Sequence, residues 1–220
     1  CQLQHPNILQ VHDFYQTPLR DVLVLAYFDA CNLERAVKAV AQRRLSEAEV
    51  QHLGLMLYSA LAHVHAAGII HRDVKPQNVL VSRDLQDLRL ADFNAAHHHE
   101  DGVPLTPTGT EHFASPEVLC GQPPDEPNDV WAAGLCLYWS LSLRLPQRRQ
   151  ECDGEFVLSP TTLQARAEQP ILFVGALWRT ISQPCKATLL WCLHMEGDKR
   201  ATATELLASS WFTETCERVD

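Results

Sequence analysis

A short polar segment set between two apolar runs constrains this chain more than any other feature. The segment His71–Asn78 carries Asp73, Lys75 and Asn78 within a few positions, and Asp92 follows a second short apolar run. Apolar flanks predict that the loop is held against a core. A strand, a turn and a second strand would return Asp92 to the side of Asn78.

These polar groups suit one kind of chemistry. The Asn78 amide oxygen and the Asp92 carboxylate are hard oxygen ligands of the type that Mg²⁺ prefers. Lys75 adds a positive charge, and Asp73 adds a second carboxylate that is available to face a hydroxyl group. Charge neutralisation, metal binding and a positioned nucleophile are what phosphoryl transfer requires.

At these positions the chain resembles the eukaryotic protein kinases, whose catalytic loop reads H-R-D-x-K-P-x-N and whose metal loop reads D-F-G. Lys75-Pro76 is similar to the Ser/Thr-specific branch of that family. The resemblance implies ATP and Mg²⁺ as cofactors, a protein substrate, Asp73 and Lys75 as catalytic residues, and Asn78 and Asp92 as metal ligands. Lys75, Asn78 and Asp92 would also contact the nucleotide.

The composition is that of an ordinary globular chain. Its 220 residues are 46% hydrophobic and 20% charged, and the net charge of -9 argues against a nucleic-acid partner. The longest nearly uncharged apolar run, Val130–Leu143, suits a buried helix and is too short for a membrane span. Eight dispersed cysteines without a signal peptide favour a reducing compartment, cytoplasmic or nuclear.

Two strands are predicted near the beginning of the chain. Residues 9–15 alternate in polarity, whereas 22–27 are continuously apolar and are predicted to be buried. In the resemblance Leu25 matches the gatekeeper and Ala26 to Phe28 the hinge, where adenine would meet the Ala26 carbonyl and the Phe28 amide. Leu80 matches the apolar floor beneath adenine, although simple core packing explains it almost as well.

Helix signals follow in order. Asn32 is a candidate N-cap for a short helix through Val40, and Ser46 with Glu49 predicts a capping box on a long helix that ends at Gly68. That helix has one apolar stripe, formed by Leu53, Leu57, Ala60, Leu61 and Val64.

Residues 95–117 resemble an activation segment that closes on S-P-E. In the resemblance Thr110 bonds the catalytic Asp and Lys and is counted with the catalytic residues. Thr106 and Thr108 are candidate phosphorylation sites, with Arg72 as their positive pocket. The consecutive histidines 97–99 are interpreted as a solvated run, since three adjacent residues do not converge easily on one ion.

Two further matches concern the core. Asp129 opens a D-x-W-x-x-G pattern and would hold the catalytic loop from beneath; capping its own helix is the alternative, and both roles can coexist. Arg200 is expected to pair with Glu117.

The predicted fold class is α+β: the mainly α-helical C-lobe of a protein-kinase-like fold with only the last strands of the N-lobe. Residues 1–220 form a partial kinase domain, with 1–31 ending the N-lobe and hinge and 32–220 forming the C-lobe. The glycine-rich loop and phosphate-binding lysine are expected to precede Cys1, so the chain alone is expected to be inactive.

Two departures from the pattern, the unseen small lobe and Asn94, leave two functions open. Asn94 stands where the metal loop has glycine, and the expectation is a left-handed backbone that costs Asn about 1 kcal/mol. An active Ser/Thr kinase and a pseudokinase that serves as a scaffold or allosteric module both remain. Neutral Asn32 and Gln77 predict weak selection for basic residues in the substrate.

Overall fold

A computed structural model describes residues 3–39, 44–102, 111–146, 171 and 173–214. Its strands are β1 (Val11–Gln16), β2 (Asp21–Leu25), β3 (Ala30–Asn32), β4 (Ile69–Ile70), β5 (Val79–Ser82), β6 (Leu88–Leu90) and β7 (His97–His98). Its α-helices are α1 (Leu33–Ala39), α2 (Glu47–Ala66), α3 (Pro116–Leu119), α4 (Glu126–Ser142), α5 (Ala176–Thr180), α6 (Gln183–Cys192), α7 (Ala203–Leu207) and α8 (Ser210–Thr213). The predicted α+β class is confirmed.

Helix α2 begins and ends as its sequence predicts. The Ser46 side chain accepts from the Glu49 amide, and the Glu49 carboxylate accepts from the Ser46 amide, which completes the capping box. The predicted apolar stripe is buried. Gly68 follows with a φ of 70°, a conformation that glycine adopts without strain. The helix thus ends directly before the predicted catalytic loop.

Helix α4 forms the centre of the core. The residues of its apolar run that lie in the helix are almost all buried, which confirms the predicted core helix. Gly134 allows α6 to approach closely, since a Cβ at that position would lie 2.6 Å from Cys192 Sγ. Helix α2 packs against α4, so the two longest of the described helices hold the loop that leaves α2. None of the helices in the described ranges combines the length and apolarity needed to cross a bilayer.

Short antiparallel strands position the remaining segments. Strand β5 lies between β3 and β6, with Cys31 opposite Val81 and Val79 opposite Leu90. Strand β4 pairs with β7. The β5–β6 pairing is the strand, turn and strand predicted from the sequence, and it returns the chain to the side of Asn78.

The prediction that the second strand is buried is wrong. Among the described strands, β1 and β2 pair only with each other, and Leu23 and Leu25 are 50% and 43% exposed. A continuous apolar run indicates burial on both faces, but a two-stranded ribbon cannot cover either of its own faces. The division into lobes between residues 31 and 32 stays a prediction.

Candidate active site

Asp129 holds the backbone of the His71–Asn78 loop from beneath. Its fully buried carboxylate accepts hydrogen bonds from the His71 amide at 2.7 Å and the Arg72 amide at 2.8 Å. It also lies 3.0 Å from His65 Nε2. Arg72 has a φ of 66°, a conformation that ordinary residues adopt only when their surroundings impose it. The predicted role of Asp129 is therefore confirmed.

The alternative role of Asp129 as a helix cap is wrong. Helix α4 begins at Glu126, and Asp125 is its N-cap, accepting from the Glu126 amide at 2.8 Å. Asp129 lies within the first turns of the helix, where its carboxylate can reach the loop.

His71 joins this loop to the segment that carries Asp92. Its Nε2 lies 3.1 Å from the Ala91 carbonyl oxygen, and its ring contacts the Phe93 ring edge-on with centroids 4.6 Å apart. Burial lowers the pKa of His71, although several nearby acceptors and carboxylates oppose that effect. The neutral ring acts as a structural joint between the two predicted motifs.

Two of the predicted site residues, Lys75 and Asn78, contact one carboxylate oxygen of Asp73. Asp73 Oδ2 lies 2.6 Å from Lys75 Nζ and 2.9 Å from Asn78 Nδ2. Asn78 Nδ2 also donates to the Asp73 carbonyl at 2.8 Å. Because both of these Asn78 bonds use its amide nitrogen, its amide oxygen is the atom that remains for a cation.

Asp92 lies beside Asn78, as the sequence predicts. The Ala91 amide donates to the Asn78 carbonyl at 2.9 Å, so the chain enters Asp92 directly next to Asn78. Asp92 is exposed and has a φ of 63°. An Asp in the left-handed region directs its side chain differently from the strand that precedes it. The arrangement places two oxygen-bearing side chains at one edge of the β5–β6 pair.

The expectation for Asn94 is wrong. Asn94 lies in a 3₁₀ turn, Phe93–Ala95, and among the described residues the positive φ of this motif falls on Asp92. The Asn94 amide donates to Asp92 Oδ1 at 3.4 Å. A residue with ordinary helical φ needs no glycine, so the strain inferred from the D-F-N sequence does not arise here.

The residues predicted to contact adenine lie at the end of β2, in the segment that follows it and in β5. Leu25 ends β2, and the Ala26 amide donates to the Gln10 carbonyl at 2.8 Å. Leu80 lies half-buried in β5, opposite Arg89. The Arg89 guanidinium lies over the Phe28 ring, 4.3 Å from its centroid, and so connects the predicted floor with the predicted hinge.

Arg89 is a residue that the sequence reasoning missed. Its neighbours Leu88 and Leu90 are buried, so strand alternation turns Arg89 to the opposite face, the face of Leu80. The polar residue between two apolar ones in this strand was the sequence signal that could have identified Arg89.

The structure describes residues 95–102 and 111–117 of the predicted activation segment. Thr106, Thr108 and Thr110 lie outside the described residues. Beyond them, Glu117 and Arg200 form the predicted ion pair: Nη1 lies 2.7 Å from Oε1 and Nη2 lies 3.0 Å from Oε2. In the histidine run, His99 Nε2 lies 3.2 Å from Glu126 Oε1.

The chain is similar to known protein kinases along nearly its whole length. The family model described as "Protein kinase domain" matches residues 1–212. Ribosomal protein S6 kinase alpha-1 of Rattus norvegicus is 30% identical over 217 residues, which cover 96% of this chain and 29% of that protein. Serine/threonine-protein kinase DCLK3 of Homo sapiens is 32% identical over 213 residues, with 96% and 32% covered. The chain thus spans less than a third of the length of these relatives.

Proposed function

Because the chain belongs to the protein kinase domain family, we propose that the protein transfers the γ-phosphoryl group of ATP to serine or threonine hydroxyls of protein substrates. The observation that carries the proposal is the convergence of Lys75 and Asn78 on the Asp73 carboxylate, with Asp92 alongside. The similar S6 and DCLK3 kinases support the serine/threonine class.

The residues present fit Mg²⁺ and a nucleotide. Mg²⁺ is commonly bound by one or two protein oxygen ligands together with substrate phosphates, and Asn78 and Asp92 provide such a pair. Mg²⁺ and ATP would supply the phosphoryl group with its negative charge partly neutralised. On the protein side we assign Leu25, Ala26, Phe28 and Leu80 to the adenine, and Lys75, Asn78 and Asp92 to the phosphates.

Asp73 would orient the substrate hydroxyl and accept its proton. Its carboxylate is held in place by Lys75 and Asn78, while Asp129 holds the backbone on which Asp73 stands. Such fixed geometry is the main requirement when the transition state is loose and little proton transfer is needed early.

Lys75 would place its ammonium group against the moving phosphoryl group. It lies in the partly buried cluster, with its side chain 21% exposed. A charge in such a site acts more strongly than one in open solvent. We propose that Thr110 completes this group by bonding to Asp73 and Lys75.

The test is phosphoryl transfer by the full-length protein and its Asp92→Ala variant. We expect the variant to lose transfer by several orders of magnitude, since it lacks one of the two metal-binding side chains. Asp87→Ala is a matched control, because Asp87 is an exposed carboxylate beside the same pair of strands. Undiminished transfer by Asp92→Ala would refute the assignment.

A pseudokinase is the second candidate, prompted by Asn94. Its signature would be nucleotide binding without transfer to any protein or peptide. The 3₁₀ turn at Asn94 weakens this candidate, since the substitution causes no backbone strain there. For the location of the protein we propose the cytosol or the nucleus, supported by the free thiols of Cys31, Cys120, Cys136 and Cys192.

A further inference from the structure

An arginine of strand β6 reaches the segment that is assigned to adenine. Arg89 lies opposite Leu80 in the β5–β6 pairing, and both neighbours of Arg89 in its strand are buried. Directly paired residues of antiparallel strands point to the same face of a sheet, so the Arg89 side chain leaves the sheet on the face of Leu80. Its guanidinium carbon lies 4.3 Å from the centroid of the Phe28 ring. That distance is well within the range of a cation–π contact.

The contact falls on the part of the predicted hinge that lies between two backbone anchors. At one end, the Ala26 amide donates to the Gln10 carbonyl at 2.8 Å. At the other end, Ala30 pairs with Ser82, where β3 joins β5. Residues 27–29 connect these two anchors. The Arg89 guanidinium therefore contacts the middle of the connecting segment.

The two aromatic residues of this segment differ in their surroundings. Tyr27 is 87% exposed, whereas Phe28 is half-buried and has the Arg89 guanidinium over its ring. A side chain that is held in one place restricts the rotation of its own backbone, so the contact limits the motion of the Phe28 amide. This restriction is present before any ligand binds. A segment that is already ordered loses less conformational entropy on binding, and affinity rises accordingly.

We propose that Arg89 is a positioning residue for the adenine site, acting through the Phe28 ring on the hinge backbone. The inference rests on the proposed function, in which the Phe28 amide and the Ala26 carbonyl meet adenine. That function gives Arg89 no part in the transfer of the phosphoryl group. Loss of the Arg89 side chain should therefore weaken nucleotide binding without changing kcat.

The test replaces Arg89 by methionine in the full-length protein. Methionine keeps an unbranched side chain and removes the charge. We expect the Kd for Mg-ATP, measured by calorimetry, and the KM for Mg-ATP to rise roughly two- to fivefold. The kcat and the KM for a peptide substrate should stay at parental values. Arg89→Lys keeps a cation within reach of the ring and should recover part of the lost affinity.

A second readout needs no nucleotide. In the ligand-free Arg89→Met protein, amide hydrogen exchange should be faster than in the parent for the segment that contains Phe28, and unchanged for the buried helix α4. Faster exchange in α4 as well would indicate general destabilisation and would overturn the specific role of Arg89.

Arg83→Met is the matched control. Arg83 belongs to the turn between the same two strands, and its Nη2 lies 3.8 Å from Oδ1 of Asp29, the next residue of the hinge segment. The two side chains are 84% and 66% exposed, and such an exposed pair contributes little. Both readouts should therefore stay at parental values. An equal rise of Kd in Arg83→Met would attribute the effect to the lost positive charge and would overturn the inference.

A double-mutant cycle tests whether Arg89 acts through Phe28. Phe28→Leu removes the ring and should by itself raise the Kd for Mg-ATP by a similar factor. Adding Arg89→Met should then cause no further rise, because the contact is already lost. Two additive effects would overturn the inference. If Arg89→Met does not fold, a parental Kd in both Phe28→Leu and Arg89→Lys would overturn it.

The outcomes separate this inference from the function on which it rests. A parent protein that neither binds Mg-ATP nor transfers its phosphoryl group would refute the proposed function, and the exchange readout would still test the contact of Arg89 with Phe28. A parent that binds Mg-ATP, with unchanged Kd, KM and exchange in Arg89→Met, would overturn only the role of Arg89.

Discussion

Replacing Glu117 by alanine should destabilise the protein strongly, because the Arg200 guanidinium that it faces is buried. The Arg200 side chain is 0% exposed and that of Glu117 is 18% exposed. Two of the Arg200 contacts go to Glu117. The others go to the carbonyl oxygens of Pro127 and His194. Alanine would therefore leave a buried cation without a carboxylate partner, held by these carbonyl oxygens and by the Trp131 ring, whose centroid lies 5.1 Å from the guanidinium carbon.

The size of the effect follows from this geometry. Removing one partner of a buried ion pair typically costs about 3–5 kcal/mol. The partial exposure of Glu117 and the remaining carbonyl contacts place this pair near the lower end, at about 3 kcal/mol. For a chain of this length such a loss lowers Tm by roughly 6–12 °C. Thermal unfolding followed by circular dichroism would measure it.

A control and a pH series sharpen the test. Glu196→Ala breaks an exposed pair with Lys199 and should leave Tm unchanged. A Glu117→Ala variant that melts within about 2 °C of the parent would contradict the reasoning. Replacing both Glu117 and Arg200 by methionine should recover much of the loss, since no unpaired charge then remains.

The pH dependence of the same pair has a definite sign. Burial alone would raise the pKa of Glu117, but the hydrogen bonds and charge of Arg200 outweigh it and the net shift is downward. The stabilisation is therefore complete above the unfolded value of about 4.3 and is lost as the pH falls through the lower folded value. The difference in Tm between the parent and Glu117→Ala should shrink in that acidic range.

Three other predictions concern the site. Asp129→Ala should lower both Tm and phosphoryl transfer, because two buried loop amides lose their acceptor at about 1–3 kcal/mol each; a variant with parental values would contradict the role of Asp129. Asn94→Gly should change kcat by less than about twofold, and a tenfold gain would show that Asn94 impairs the enzyme. Mass spectrometry of active protein should find phosphate on Thr106 or Thr108, and active protein with neither modified would remove the support for this form of regulation.

Local features of the fold could be predicted because their causes lie within a few residues. The Ser46–Glu49 capping box needs only a hydroxyl and a carboxylate three positions apart, and the structure has it. The burial of α4 follows from a run with no polar face. Asp129 and Arg200 were found in a different way: the resemblance to a family supplied partners that no spacing rule reveals.

Other features depend on packing that the sequence does not show. Glu34 and Gln77 are 43 positions apart, and only the packing of α1 on the loop brings them together. The exposure of β2 likewise depends on what covers its faces. Its run of apolar residues indicates a preference for burial, but burial also requires another element that packs against the strand.

The case of Asn94 shows why residue type alone can mislead at a functional site. Glycine in D-F-G suggested that the third position needs a positive φ, yet that conformation belongs to Asp92 in this chain. What Asp92 receives from the third position is a backbone N–H, at 3.4 Å from Oδ1, and every residue except proline can donate it. The orientation of Asp92 therefore does not depend on whether the side chain is glycine or asparagine. The D-F-N sequence by itself therefore gives no structural reason to expect a loss of the proposed metal binding, and the proposed kinase function rests instead on the contacts of Lys75 and Asn78 with Asp73.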